Sequence, residues 1–262
     1  MNNNFHQKKQ LGQHFLKDKN IIRKIVKIAA IEANEKVWEI GPGLGILTEE
    51  LLETGCSLTC FEIDQSLYPI LKEKLAERIC LIENDVLQEN WQPILEDSTV
   101  KLVANLPYQI TTPLLFKILD YRSHFSRIVI MIQKEVAERL QAKPNCKAYG
   151  VLSLKIQFYF DVNYEFTVKP HLFFPPPKVD SAVISLTPRR EIPQIDDEKR
   201  FWKMVKAAFA NRRKMLRNNL NAILTKEKME FLLAYYPELM KKRAEALSEK
   251  EFIGLWEVVR KG

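Results

Sequence analysis

Residues 36–55 read KVWEIGPGLGILTEELLETG. A short apolar run, a turn carrying three glycines and a segment of helical period follow without a gap. That is a strand passing through a tight turn into a helix, with Gly55 placed to close it. The alternation continues along the chain. SLTCFEID reads as a second strand and QSLYPILKEKLAE as its helix; ICLIEND, KLVANLPY and RIVIMIQ are further strands, and TTPLLFKILDY lies between the last two. These runs are nearly continuous in apolar residues, so both faces of each strand are buried and helices must cover them. The expected fold is α/β: a mostly parallel, Rossmann-like sheet. YFDVNYEFTV and DSAVISLTP flank KPHLFFPPPK and are expected to give the sheet an antiparallel edge strand.

Residues 188–195 are proline-containing, charged and aperiodic, which marks a boundary. The expected division is a sheet domain with an N-terminal arm over residues 1–190 and a helical domain over 191–262. In the second, FWKMVKAAFANRRKMLRNNLNAIL reads as one helix, with Phe209, Leu216, Leu220 and Ile223 at core spacing.

Charge narrows the choice of partner. The chain carries 40 Lys and Arg against 33 Asp and Glu, a formal charge of +7. Most of that excess falls in residues 196–262, where 16 basic residues face 10 acidic ones. A local basic excess suits a polyanion such as nucleic acid. No apolar run approaches 18 residues, and the first 15 lack the apolar centre of a signal peptide, so neither membrane nor export is expected and a cytosolic address follows by default. Cys56, Cys60, Cys80 and Cys146 have no zinc spacing; free thiols and no metal are expected. A monomer is the default oligomeric state.

The glycine turn narrows the choice of ligand. The dinucleotide fingerprint G-x-G-x-x-G fails here, because its last position is Ile46, and Pro42 removes a backbone N–H that a pyrophosphate could use. A close-packed neutral nucleoside suits Gly41 and Gly43 better. Glu62 ends the second strand, where a carboxylate accepts hydrogen bonds from both ribose hydroxyls, and Asp85 ends the third, where it can meet an adenine amine. Three features after three successive strands share the carboxyl edge of one sheet, the edge at which such folds bind ligands. Together they point to S-adenosylmethionine.

The fourth strand ends in NLPY, residues 105–108. This resembles the (N/D/S)-P-P-(Y/F/W) signature of enzymes that methylate exocyclic amines, in the form, with Leu106 for the first proline, typical of rRNA adenine N6,N6-dimethyltransferases. LGQHFLKD, EIGPGLGILT, FFPPPKVDSAV and FANRRKMLRNNL resemble that family in the same order, so the likeness spans nearly the whole chain. The chemistry suits the residue types. The Asn105 side-chain oxygen and the Leu106 carbonyl can accept the two N6 hydrogens, Pro107 fixes the turn, and Tyr108 offers a face for a flipped base, with stacking worth ~1–3 kcal/mol.

The resemblance implies more. Phe173 matches the family's second stacking ring, with Phe174 beside it as the alternative. His14 and Leu16 match the arm positions that contact cofactor, although many members carry Asn where His14 stands. It implies dimethylation of two adjacent adenosines in a hairpin near the 3′ end of 16S rRNA, in the small ribosomal subunit or its precursor. Lys206, Arg213 and Arg217 share a helix face, with Arg212 and Lys214 beside it, and fit an A-form RNA backbone; Lys8, Lys9 and Lys17 in the arm could reach phosphates. Three rivals remain: a 23S rRNA adenine methylase, a DNA adenine methylase and a non-catalytic RNA-binding assembly factor.

Overall fold

The structure, a computed structural model, describes residues 12–95 and 98–261. The chain divides into two compact units: the residues up to Ala137 with Phe160–Pro188, and Glu138–Tyr159 with Arg189–Gly262.

The first unit opens with the short strand β1 (Phe15–Leu16) and helix α1 (Lys19–Ala29). Asp18 caps α1, its carboxylate accepting from the N–H groups of Asn20 and Ile21, a contact worth ~1 kcal/mol. Strands and helices then alternate: β2 (Lys36–Ile40), α2 (Ile46–Leu52), β3 (Ser57–Phe61), α3 (Tyr68–Leu75), β4 (Ile79–Ile82), α4 (Gln92–Leu95), β5 (Val100–Asn105), α5 (Thr111–Asp120), β6 (Phe125–Gln133) and α6 (Lys134–Leu140). Strands β7 (Phe160–Val168), β8 (Phe173–Phe174) and β9 (Ser181–Pro188) complete the unit. Seven strands form one sheet in the order β4-β3-β2-β5-β6-β9-β7. The first five are parallel, as their apolar runs required.

The two late strands give the sheet its expected antiparallel edge: β9 pairs antiparallel to β6, and the edge strand β7 pairs antiparallel to β9. The residue pattern accounts for this. SAVISL in β9 is buried throughout, whereas β7 carries exposed Asp161 and Asn163, which an edge tolerates. Under the sheet, Trp38 of β2 meets Phe61 and Trp91 edge-on at centroid separations of 4.8 and 5.3 Å. These rings are nearly fully buried, and each buried apolar side chain of such size contributes ~1.5–3 kcal/mol.

The second unit is helical. Helix α7 (Val151–Tyr159) lies in it with α8 (Glu198–Ala208), α9 (Leu216–Leu220), α10 (Lys226–Tyr235), α11 (Pro237–Lys241) and α12 (Glu249–Lys261). The expected sheet domain of residues 1–190 is therefore interrupted: residues 138–159 pack with the C-terminal helices. Phe158 and Tyr159 stack edge-on or tilted against Trp202 of α8, the Trp202 indole donates to the Tyr159 hydroxyl at 2.7 Å, and that hydroxyl donates to Glu198 at 2.6 Å.

The long basic helix expected around residues 201–224 is also broken. α8 stops at Ala208, and Asn211 starts a turn, its side chain accepting from the Arg213 N–H and its carbonyl from the Lys214 N–H. Asn219 reaches back to donate to the carbonyls of Ala208 and Asn211, at 2.6 and 3.0 Å, satisfying the end of α8. Asparagine competes with helix through such side-chain bonds. Leu216 and Leu220 are core residues, Phe209 is half-buried, and Ile223, expected in the core, is exposed because the helix that would have turned it inward has ended.

Candidate active site

The carboxyl ends of β2 to β5 open on a cleft of about 920 Å³, its mouth included, lined by Gly41, Gly43, Glu62, Asp85, Asn105 and Tyr108 among others.

Gly43 has φ +59°, and a Cβ there would fall 2.8 Å from the Phe15 ring, so the arm packs directly on bare backbone. The turn's N–H groups have protein partners: Gly41 donates to the Phe61 carbonyl, Gly45 to Pro42, and Gly43 to the Glu62 carboxylate at 3.2 Å. A turn with its donors so engaged suits a nucleoside better than a pyrophosphate. Glu62 is 5% exposed, and its second oxygen accepts from the Asp64 N–H at 2.9 Å. Burial raises its pKa, while the two backbone donors pull the other way. Those donors fix the carboxylate's plane and leave further lone pairs for a diol. Asp85 is half-buried; one of its oxygens accepts from the Leu87 N–H at 2.9 Å, leaving the other for the cleft.

Asn105 ends β5, and its amide nitrogen donates to the His14 carbonyl at 3.1 Å. A carbonyl can only accept, so this bond sets the amide: the NH₂ faces the arm and Oδ1 is left as the acceptor. Leu106 is buried and anchored through its N–H to the Met131 carbonyl. The Tyr108 hydroxyl bonds the Ser181 hydroxyl at 2.7 Å, which fixes the ring, and burial raises its pKa above that of an ordinary phenol. Sequence reasoning missed Ser181, although it lies inside the FFPPPKVDSAV motif.

The arm joins these parts. Gln13 donates to Asp64 at 2.8 Å, and His14 Nδ1 donates to the Pro175 carbonyl at 2.8 Å. The His14 ring sits 5.7 Å from that of Tyr108. β1 pairs with β8, Phe15 opposite Phe174 and Leu16 opposite Phe173. Phe173 is 2% exposed and forms part of the cleft wall; Phe174 is 60% exposed and lies outside the lining, with Lys17 Nζ 5.4 Å from its ring centre. The structure thus brings His14 to the cleft but turns Leu16 away from it. Leu16 faces a smaller cavity, also bordered by Glu39 and Asn105. Lys8 and Lys9 lie outside the described residues.

In the second unit Arg212 is engaged internally: its guanidinium pairs with Glu245 at 2.9 Å and donates to the carbonyls of Lys147 and Tyr149. Arg213, Lys214 and Arg217 are exposed, and among the described residues none has a carboxylate partner. Also among the described residues, no cluster of His, Cys, Asp and Glu could hold a metal, and no helix is long and apolar enough to cross a membrane.

A parallel sheet whose glycine turn and strand-end acids suit an adenosine, with an oriented amide and an aromatic ring at the end of the fourth strand, defines a class I methyltransferase. The chain belongs to the ribosomal RNA adenine dimethylase family, whose profile matches residues 4–260. Relatives named ribosomal RNA small subunit methyltransferase A include one from Streptococcus gordonii, 43% identical with 97% of this chain and 92% of the relative covered, and one from Bacillus cytotoxicus, 44% identical with 94% and 88% covered. Among solved structures, a dimethyladenosine transferase from Plasmodium falciparum is 26% identical with a TM-score of 0.81, covering 95% of this chain and 98% of that one. The 23S rRNA methyltransferase ErmE is 25% identical with a TM-score of 0.71, covering 94% and 99%.

Proposed function

We propose that this protein dimethylates N6 of two adjacent adenosines in a hairpin loop near the 3′ end of 16S rRNA, within the small ribosomal subunit or its precursor, and so takes part in ribosome biogenesis. The observation that carries this reading is the Asn105 amide, held by the His14 carbonyl so that its oxygen is left for an amine beside Tyr108. The small subunit is favoured because the relatives at 43–44% identity bear that name, whereas the likeness to the 23S enzyme is at 25%.

S-adenosylmethionine, when bound, supplies a methyl group already activated on a sulfonium. Glu62 would hold the ribose hydroxyls and Asp85 the adenine amine of that cofactor, beside the bare backbone of Gly41 and Gly43, with His14 of the arm at the same cleft. The target adenine stacks on Tyr108, with Phe173 as the opposite wall. Asn105 Oδ1 and the Leu106 carbonyl accept the two N6 hydrogens and turn the nitrogen lone pair toward the methyl. Orientation supplies much of the rate, and the N6 proton, acidic once the nitrogen is alkylated, leaves to water.

The test is to incubate methyl-labelled cofactor with undermethylated small subunits, large subunits and naked rRNA, and to map the label. Dimethyladenosine confined to adjacent small-subunit adenosines is expected; label confined to large-subunit rRNA overturns the reading. For the RNA surface, Arg213, Lys214 and Arg217 are the proposed phosphate contacts, while Arg212 holds the turn that presents them. The pair Arg213→Glu and Arg217→Glu is expected to weaken rRNA binding about 10-fold or more and to flatten its salt dependence, with cofactor affinity unchanged. Unchanged RNA affinity would return that face to ordinary surface.

A further inference from the structure

Lys117 stands in the last turn of α5, away from any residue the sequence marked. Its ammonium has three hydrogens, and three backbone carbonyls receive them: Val86 at 2.9 Å, Leu87 at 3.0 Å and Glu89 at 2.5 Å. All three belong to the loop that leaves β4 through Asp85. The Nζ lies over the buried Trp91 ring, 4.7 Å from its centre, and the Trp91 indole donates to the same Val86 carbonyl at 3.1 Å. A lysine on a helix flank normally keeps its charge in water. This one is drawn inward to serve a loop. Burial lowers its pKa, and the carboxylates of Asp85 and Glu89 oppose that shift.

The loop carries one of the cleft's strand-end carboxylates. Asp85 is oriented through bonds that depend on the loop's path: its carboxylate accepts from Leu87 N–H, its own N–H donates to the Asn84 side chain at 2.8 Å, and the Asn84 amide in turn donates to Glu89 at 2.5 Å. Val86 and Asp85 both line the cleft. The carbonyls on which Lys117 closes therefore begin one residue beyond the carboxylate.

We propose that Lys117 is a positioning residue for cofactor recognition: by gathering the carbonyls of residues 86, 87 and 89 it fixes the Asp85 carboxylate against the 6-amino group of the cofactor's adenine, and so sets selectivity for adenosine. This rests on the reading of the cleft as an S-adenosylmethionine site. Lysine is suited to the task because its three donors diverge from one nitrogen. Arginine's planar fork cannot converge on the same three oxygens.

The test compares binding of S-adenosylhomocysteine with that of its inosine analogue, in which an oxygen replaces the 6-amino group. The wild-type chain is expected to prefer the adenosine form by about 10- to 100-fold, the range of one well-made polar pair. In Lys117→Met, which keeps the apolar stem, that preference is expected to fall below about 3-fold. In an Asp85→Ala background the same change should alter the preference no further. If Lys117→Met does not fold, Lys117→Arg gives the same ratio on a chain that keeps the charge. A ratio retained at the wild-type value overturns the proposal, whether both ligands weaken together or neither does, because general loosening of the fold moves both alike. Failure of the wild-type chain to bind S-adenosylhomocysteine overturns the cofactor reading instead.

Discussion

Asn105→Ala is expected to lower methyl transfer by about 10³-fold, close to 4 kcal/mol of barrier, while affinity for S-adenosylhomocysteine changes by less than about 5-fold. The adenine amine is a poor nucleophile, and the role proposed for the amide is to orient it. Truncation leaves Glu62 and Asp85, the proposed nucleoside contacts, in place but removes the oriented acceptor. Asn105→Asp is the sharper variant. It keeps an acceptor for the amine but sets a carboxylate oxygen against the His14 carbonyl, where the NH₂ now donates at 3.1 Å. It should lose activity as well, although the side chain is nearly the same size. Single-turnover transfer to small subunits, with cofactor binding measured separately, reads both. A variant within tenfold of wild type would sink the orienting role.

The second large effect concerns stability. Glu39 lies on β2 with 1% exposure, bordering the small cavity, with the Cys60 thiol, at 3.7 Å, donating to its carboxyl. Burial pushes its pKa from the usual 4.5 to about 8, and the nearby Glu62 charge adds to the rise. Between those values the folded chain keeps a proton that the unfolded chain has lost. Stability is therefore present in full below the unfolded value and falls as pH rises toward the folded one, by ~1.4 kcal/mol per pH unit at most. Glu39→Gln is isosteric and cannot ionise. It should match wild type near pH 5 and exceed it by about 2–4 kcal/mol near pH 8. Urea unfolding across that window decides the matter: an unaltered pH slope in the Gln variant would place the ionisation elsewhere.

The parts of the fold and site that could be read from sequence are those that depend on local pattern. Continuous apolar runs placed the parallel strands, and residues that end them, Gly41, Gly43, Glu62, Asp85 and Asn105, were fixed at one sheet edge by the topology of strand and helix alone; the structure gathers them around one cleft. Tyr108 follows as the next residue but two along the same strand end. Chain pattern could not reveal what depends on a distant partner. Ser181 is 73 residues from the hydroxyl it holds, and His14 is 91 residues from the amide its carbonyl sets. Lys117 carries no local signal, since in TTPLLFKILDY it is a single charge among apolar residues and its three carbonyl partners lie 28 to 31 residues away. Arg212, read as an RNA contact, is instead spent on Glu245 and two carbonyls, because residues 138–159 join the C-terminal helices.

The break after Ala208 shows the same division at smaller scale. Apolar residues at helical spacing, Phe209, Leu216, Leu220 and Ile223, argued for one helix, but Asn211 and Asn219 hydrogen-bond across the turn and outweigh that periodicity. Likewise FFPPP left two rings open. Pairing of β8 with β1 turned Phe173 into the cleft wall and Phe174 to solvent, since successive residues of a strand face opposite ways and only the partner strand says which way is in. By itself, then, the sequence determined the layered sheet, the edge that carries the cleft and the residue types that meet there, because burial period and strand ends are local properties. The tertiary structure decided which atom of the Asn105 amide is held by the arm, which ring lines the cleft and which cations stay without an internal carboxylate partner among the described residues, because each of those depends on a hydrogen bond or a packed surface supplied from far along the chain.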